Sequence, residues 1–97
     1  MLKFKNKMTD NKKSALLNFK KAKSHVEKII KMAEADEYCV DIMQQNLAVI
    51  GLLKSAHKML MEGHLKSCFA MAMNAGNEKK KKEMTEEILA VTSLFNR

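Results

Sequence analysis

The sequence of 97 residues contains no proline, no tryptophan and only three glycines. Strands and tight turns need more of these turn-forming residues, so their scarcity favours an all-helical chain. No apolar run in the sequence reaches the roughly 18 residues of a membrane span. The basic start of the chain, Met1-Leu-Lys-Phe-Lys, lacks the apolar core of a signal peptide. We therefore expect a cytoplasmic protein that does not associate with a membrane.

Reactive residues are also few, with Cys39 and Cys68 as the two cysteines. In a reducing cytosol two cysteines are more often thiolates with a chemical role than a structural disulfide. The sequence shows no hydrolytic triad, no glycine loop that cradles phosphate and no paired-carboxylate site. We therefore expect that the protein is not an enzyme.

Arginine is nearly absent as well, with Arg97 as its one occurrence, so the positive charge comes from lysine. Residues 1–31 hold ten lysines against Asp10 and Glu27, a balance of +8, whereas residues 32–97 have a balance of −1. This asymmetry indicates an anionic partner, with nucleic acid ahead of a membrane surface. The alternative is a solvated lysine-rich face that keeps a small protein soluble. Because lysine meets phosphate as a point charge, we expect backbone contacts and DNA shape to supply much of any affinity.

The apolar spacing predicts an all-α, three-helix protomer with a long central helix. Residues 1–10 are predicted to be a mobile basic arm, and residues 11–97 a single helical domain. Asp10 or Ser14 is predicted to cap the first helix, which runs to about Asp36. Its apolar positions recur at intervals of three and four: Ala15, Leu16, Phe19, Ala22, Val26, Ile29, Ile30 and Ala33. Five lysines lie mostly off this stripe and form a basic outer face: Lys12, Lys13, Lys20, Lys23 and Lys31.

The second predicted helix occupies most of the stretch from Tyr38 to Met73 and is apolar on more than one face. Two other helices of a 97-residue chain cannot easily cover so wide an apolar arc. We therefore expect this helix to pack against its own copy in an oligomer. Gly63 is the one plausible break, while Gly76 with Asn77 is a better stop. A last helix from about Glu78 to Phe95 follows.

Cys39, His64 and Cys68 are the residues best suited to a metal site. His64 and Cys68 are four residues apart and share one face of a helical turn. Cys39 lies 25 residues before His64, about 37 Å along a continuous helix, so one helix cannot place all three around one ion. An antiparallel pair of second helices brings Cys39 of one chain beside His64 and Cys68 of the other, at two identical sites per dimer. Two thiolates and an imidazole suit Cu(I), and Zn²⁺ is possible if a fourth ligand is found.

Three other groups are weaker candidates. His25 is more consistent with a surface or phosphate-contacting residue than with a ligand. His57 lies seven residues before His64 and could line the same face. The four methionines between Met59 and Met73 lie among Leu and Phe at helical spacing, which favours core packing over a thioether copper site.

The chain resembles the CsoR/RcnR family of small, all-helical, metal-responsive bacterial repressors from about Leu16 to Phe69. The matching residues are Tyr38-Cys39-Val-Asp41-Ile42, then Gln45, Ala48-Val49 and Leu53, then His64-Leu65-Lys-Ser-Cys68. The resemblance implies an antiparallel dimer that forms a four-helix bundle and assembles into a homotetramer. It also implies binding to operator DNA without metal and release when metal binds across the dimer interface. The Cys-His-Cys set is similar to the Cu(I)-sensing branch, which controls copper efflux genes. The resemblance further implies that Tyr38 and a glutamate of the last helix (Glu83, Glu86 or Glu87) support the ligands.

The chain departs from this family in its first helix. A family Gly-Gln followed by a second glycine is replaced by Ser24, His25 and Lys28, and family arginines are replaced by Asn18, Lys20 and Lys21. A basic residue of the second helix is Lys54. The residues expected to contact DNA are therefore Lys12, Lys13, Lys20, Lys21, Lys23, His25 and Lys54.

Two alternatives stay open at this stage. One is a thiol-redox or persulfide-sensing repressor that uses Cys39 and Cys68, although members of that branch lack a histidine at the position of His64. The other is a helical copper-binding oligomer that does not bind DNA, for which the altered first helix is the motive. Nickel- and cobalt-sensing members carry an N-terminal histidine and a second histidine in place of the last cysteine. This chain has Lys3 and Cys68 there, which disfavours that branch.

Overall fold

A computed structural model describes residues 9–74 and 76–96 and shows helices joined by short turns. The helices are α1 (Asp10–Glu34), α2 (Cys39–His64), α3 (Ala70–Asn74) and α4 (Glu78–Phe95), and a π-helical turn (Leu65–Phe69) joins α2 to α3. No strand occurs in the described ranges, which confirms the predicted all-α fold. Within the same ranges, no helix has the length and hydropathy needed to cross a membrane. The predicted basic arm falls largely on residues 1–8, which lie outside the described residues.

Helix α1 begins one residue earlier than its predicted caps allow. Thr9 is extended, and its hydroxyl oxygen accepts a hydrogen bond from the backbone N–H of Lys12 at 3.1 Å. This bond satisfies one of the N–H groups that lack a partner at a helix start. Asp10 lies inside the first turn instead, where its charge is favourable to the helix dipole. The prediction of Asp10 or Ser14 as the cap was wrong, because Thr9 supplies the same chemistry just upstream.

The turn between α1 and α2 depends on a left-handed residue. Asp36 has φ +54°, a conformation that aspartate tolerates better than most residues other than glycine. Its N–H donates to the carbonyl of Ala33, and the N–H of Glu37 donates to the carbonyl of Met32, both at 3.0 Å. These bonds satisfy carbonyls at the end of α1 in the manner of a Schellman motif. The helix therefore ends at Glu34 rather than near Asp36.

Helices α1 and α2 pack along a seam of small, polar and apolar residues. In α1 every residue that is not exposed recurs at intervals of three and four, as in an antiparallel coiled coil. These residues are Asn11, Ala15, Asn18, Ala22, His25, Ile29 and Met32. The matching seam of α2 is Ile42, Gln45, Val49, Leu52, Ala56, Met59 and Gly63. We call these two rows together the α1–α2 seam.

Specific contacts fix the register of this seam. The Asn18 side-chain amide donates to the backbone carbonyl of Leu52 at 3.2 Å. The His25 Nε2 and Gln45 Oε1 atoms lie 2.7 Å apart. Stepping forward by seven residues in α1 therefore steps back by seven in α2, as expected for antiparallel helices with a heptad repeat.

The predicted apolar stripe of α1 turns out to be two stripes. Ala15, Ala22 and Ile29 lie in the α1–α2 seam, as expected for packing within the chain. The other five predicted positions are exposed, because each lies one residue after a seam position, about 100° further around the helix. These five are Leu16, Phe19, Val26, Ile30 and Ala33. Among the residues that the structure describes, this second apolar row of α1 is therefore left exposed.

The described residues form two compact units, one ending at Gly63 and the other beginning at His64. In the second unit, Gly76 has φ +77°, and the side chain of Asn77 caps α4 by accepting from the N–H of Lys80 at 3.1 Å. This confirms the predicted stop at Gly76 and Asn77. Lys81 pairs with Glu78 at 3.3 Å on the first turn of α4, a solvated i,i+3 contact of small energetic weight.

Two glycines of α2 provide a matched test of the α1–α2 seam. A Cβ added at Gly63 would lie 2.8 Å from the Cβ of Asn11, whereas one added at Gly51 would meet nothing within 4 Å. Replacing glycine by alanine within a helix gains about 1 kcal/mol, while overpacking costs about 1–3 kcal/mol. We expect Gly51→Ala to raise the free energy of unfolding and Gly63→Ala to be about 1–3 kcal/mol less stable than Gly51→Ala. Urea unfolding followed by circular dichroism measures both, and equal stabilities would contradict the close approach of the helices.

Candidate metal centre and nucleic-acid face

His64 and Cys68 lie within one helical turn of each other in the second unit. His64 is the last residue of α2, Cys68 lies in the π-helical turn, and both are half-buried. The Cys68 thiol is free of any disulfide, and its sulfur lies 3.9 Å from the hydroxyl of Ser67. The imidazole of His64 lies beside the ring of Phe69, with ring centroids 6.4 Å apart. The chain thus offers one imidazole and one thiol for a soft metal from a single turn.

Cys39 occupies the opposite end of α2. It is the first residue of the helix, it is exposed, and it forms no disulfide. Tyr38 precedes it and is 69% exposed. The backbone carbonyl of Tyr38 accepts from the N–H groups of Asp41 at 3.0 Å and Ile42 at 3.2 Å, which starts the helix. A thiol at this position is accessible to another molecule.

The geometry of α2 relates Cys39 to His64. At about 100° per residue, 25 residues are seven turns less about 20°, so both side chains leave the same face of the helix. At about 1.5 Å per residue they are nonetheless about 37 Å apart along its axis. Among the described residues, no three His, Cys, Asp or Glu side chains of one chain come close enough to hold a metal ion. A shared site for Cys39 and His64 therefore requires a second chain.

The other residues expected near the metal lie in different environments. Glu83, Glu86 and Glu87 are all exposed on α4. Glu83 and Glu87 are four residues apart and share a face, whereas Glu86 is offset from it. Their predicted role beside Tyr38 stays a prediction. His57 is half-buried on α2, and seven residues, about two turns, separate it from His64.

The lysines expected to contact DNA are all on the surface. None of them lies in the α1–α2 seam, and each is exposed: Lys12, Lys13, Lys20, Lys21 and Lys23 on α1 and Lys54 on α2. Their ammonium groups are therefore available to a polyanion. His25 is placed differently, since it is half-buried and bonded to Gln45. One of its ring nitrogens is engaged between the two helices.

Sequence reasoning missed two contacts that shape this region. The His25–Gln45 pair belongs to the α1–α2 seam, and the heptad spacing of Asn11, Asn18 and His25 was the signal that could have revealed it. The contact of Phe69 with His64 depends on the π-helical turn, which no spacing of apolar residues indicates.

Comparison with known proteins shows the family to which the chain belongs. The family model described as a metal-sensitive transcriptional repressor matches residues 11–93. The copper-sensing transcriptional repressor CsoR of Mycobacterium ulcerans (strain Agy99) is 42% identical over 69 residues, which are 71% of this chain and 59% of that protein. The match thus spans little more than half the length of the mycobacterial relative. CsoR of Bacillus subtilis (strain 168) is 31% identical over 93 residues, which are 95% of this chain and 89% of that protein.

A solved structure supports the same fold. The copper-sensing repressor CsoR with Cu(I) from Geobacillus thermodenitrificans NG80-2 superposes with a TM-score of 0.82 at 24% identity, covering 100% of this chain and 95% of that one. This likeness establishes the fold. Since the family model covers most of α1 through α4, the chain belongs to the family of metal-sensitive transcriptional repressors.

Proposed function

We propose that this protein is a Cu(I)-responsive transcriptional repressor, which binds operator DNA without metal, releases it on copper binding and so controls copper efflux genes. Relatives in both a mycobacterium and a bacillus are named copper-sensing repressors. The observation that carries the proposal is the placement of Cys39 and His64 at opposite ends of one face of α2, with Cys68 just beyond.

The donor set fits Cu(I). Two thiolates and one imidazole are soft ligands in the number that a trigonal Cu(I) ion takes, whereas Zn²⁺ needs a fourth ligand. Cys39 of one subunit, with His64 and Cys68 of the next, would hold the ion. Tyr38 and one glutamate among Glu83, Glu86 and Glu87 would support the ligands, as the family resemblance implies. Copper supplies a link between subunits, because its ligands come from two chains.

The surface of the first unit supports association of subunits. On α1, the exposed fractions are 39% for Leu16, 41% for Phe19, 40% for Val26 and 51% for Ile30. On α2, Met43, Leu47, Ile50 and Leu53 are exposed as well. Contiguous apolar rows of this kind are rare on proteins that stay monomeric. A second copy, placed antiparallel to form a four-helix bundle, would cover part of them. Association of two such dimers into a tetramer would cover more.

Copper binding and DNA binding would be coupled because each favours a different arrangement of the subunits. Metal would favour the arrangement of subunits that completes the Cys-His-Cys site, and DNA would favour the arrangement that presents the lysines of both subunits to the phosphates. A ligand shifts this equilibrium only through its differential affinity for the two states. Because the sites are shared between chains, copper can bias how the subunits are arranged.

A mixing experiment tests whether the site is shared. We expect Cys39→Ala and Cys68→Ala each to lower Cu(I) affinity by more than about 100-fold, beyond the loss seen when a supporting residue of a metal site is removed. When the two variants are unfolded and refolded together, mixed dimers contain one intact site. Random pairing in two-fold dimers then restores tight binding to about a quarter of the wild-type number of sites.

Competition with a chromophoric Cu(I) chelator measures affinity and stoichiometry, and each variant refolded alone is the control. Wild-type affinity in Cys39→Ala would sink the proposed site. Recovery of no sites on mixing would show that the ligands come from one chain.

If an oxidant or sulfide treatment releases DNA while copper does not, Cys39 and Cys68 serve the thiol-sensing alternative instead.

A pair of lysine variants tests the DNA face. Lys20→Gln and Lys21→Gln remove exposed charges from α1, and Lys79→Gln removes a charge that is also exposed, from α4. We expect each α1 change to weaken binding to the upstream region of its own operon and to reduce the salt slope by about 1. Lys79→Gln should leave both nearly unchanged. Fluorescence anisotropy across a salt series makes the measurement. A wild-type affinity that is flat with salt would favour the copper-binding oligomer that does not bind DNA.

A further inference from the structure

The structure places the ring of Phe69 beside His64, a proposed metal ligand. Its ring centroid lies 6.4 Å from that of His64, with the two planes inclined at 52°. This separation lies within the range of aromatic pairs that attract each other beyond simple burial. Both side chains are half-buried. The contact therefore restrains His64 from one side of its ring.

The π-helical turn makes this contact possible. Phe69 follows His64 by five residues, and in an α-helix residues five apart lie about 140° apart around the axis. In a π-helix the backbone bonds run from residue i to i+5, so residues five apart come nearly one above the other. The turn spans Leu65–Phe69 and ends at the residue that meets His64. The uncommon backbone geometry and the ring contact thus coincide.

We propose that Phe69 is a positioning residue for His64, which holds the imidazole in the orientation that a metal ion requires. The proposal rests on the proposed role of His64 as a Cu(I) ligand. A phenyl ring makes no hydrogen bond to imidazole nitrogen, so it restricts rotation of the ring and leaves both nitrogens available. One nitrogen can then meet the metal while the other meets a carboxylate. Fixing the ring before metal arrives lowers the entropy lost on binding.

The first measurement needs no metal. In the metal-free protein, proton NMR should show the ring protons of His64 shifted by the ring current of Phe69, with the signals assigned by their loss in His64→Gln. Phe69→Leu should remove this shift, Phe69→Tyr should keep it, and Leu89→Ala, which changes an exposed leucine of α4, should leave it unaltered. Absence of the shift in the wild-type protein would overturn the proposal.

The second measurement is Cu(I) affinity by chelator competition in the same four proteins. An aromatic contact of this kind corresponds to about a two- to tenfold change in affinity. We expect Phe69→Leu to bind Cu(I) about two- to tenfold more weakly, while Phe69→Tyr and Leu89→Ala match the wild type. Wild-type affinity in Phe69→Leu, or an equal loss in Leu89→Ala, would overturn the proposal. If Phe69→Leu does not fold, as judged by circular dichroism, Phe69→Met takes its place.

The outcome is separable from that of the proposed function. If Cys39→Ala loses affinity and Phe69→Leu does not, the shared copper site stands and the positioning role fails. If Cys39→Ala keeps wild-type affinity while Phe69→Leu loses it, the two-chain site fails and His64 still binds copper in a manner that depends on Phe69.

Discussion

The close approach of α1 to α2 is the constraint on which the rest of the first unit depends. Ala15 and Ala56 are fully buried, and Ala22 is nearly so. At Gly63 there is no room for a side chain, because an added Cβ would lie 2.8 Å from the Cβ of Asn11. Small residues at these positions let the helix axes come near each other, and the Asn18–Leu52 hydrogen bond sets their register. This packing decides which faces of both helices remain outward. As a result, both the lysines of α1 and the second apolar row of α1 are exposed.

Close packing of small residues also leaves the first unit with little core. The buried apolar residues in the described part of the chain are Ala15, Ala22, Met32, Val49 and Ala56. Apolar burial contributes roughly 25 cal/mol per Å², and alanines bring little area to it. If a second copy covers the exposed rows, as proposed, association adds the apolar burial that the single chain lacks. Folding and association would then be linked, and stability would depend on protein concentration.

The sequence was sufficient to predict most of the helical architecture and the family. Absent proline and scarce glycine predicted the all-α fold, and the bounds of α4 agree with the predicted Glu78 to Phe95. Membership in a family of transcriptional repressors confirms that the chain is not an enzyme. The alternation of two apolar rows on α1 was missed, because both rows contain apolar residues at intervals of three and four. Periodicity alone cannot say which row packs within the chain.

The metal-site prediction illustrates a different limit. The 25-residue gap between Cys39 and His64 gave a two-chain requirement from helix geometry alone, and the bounds of α2 are consistent with it. The placement of His25 was not foreseen, since a histidine among lysines reads as a surface residue until its seam partner Gln45 is known. Pairwise contacts between helices depend on register, which is set by many small packing terms together.

The π-helical turn changes the direction in which the residues of α3 face around the helix axis, relative to His64. A π-helical turn takes in one residue more than an α-helical turn before the chain returns to the same face. Counting in steps of three and four from His64 therefore does not tell which way α3 faces. On α3, Met71 is exposed, whereas Ala72 and Met73 are half-buried. Deleting one residue between His64 and Phe69 would preserve helical content while rotating α3 by about 100°. The length of this turn therefore sets how the residues that follow it face relative to His64.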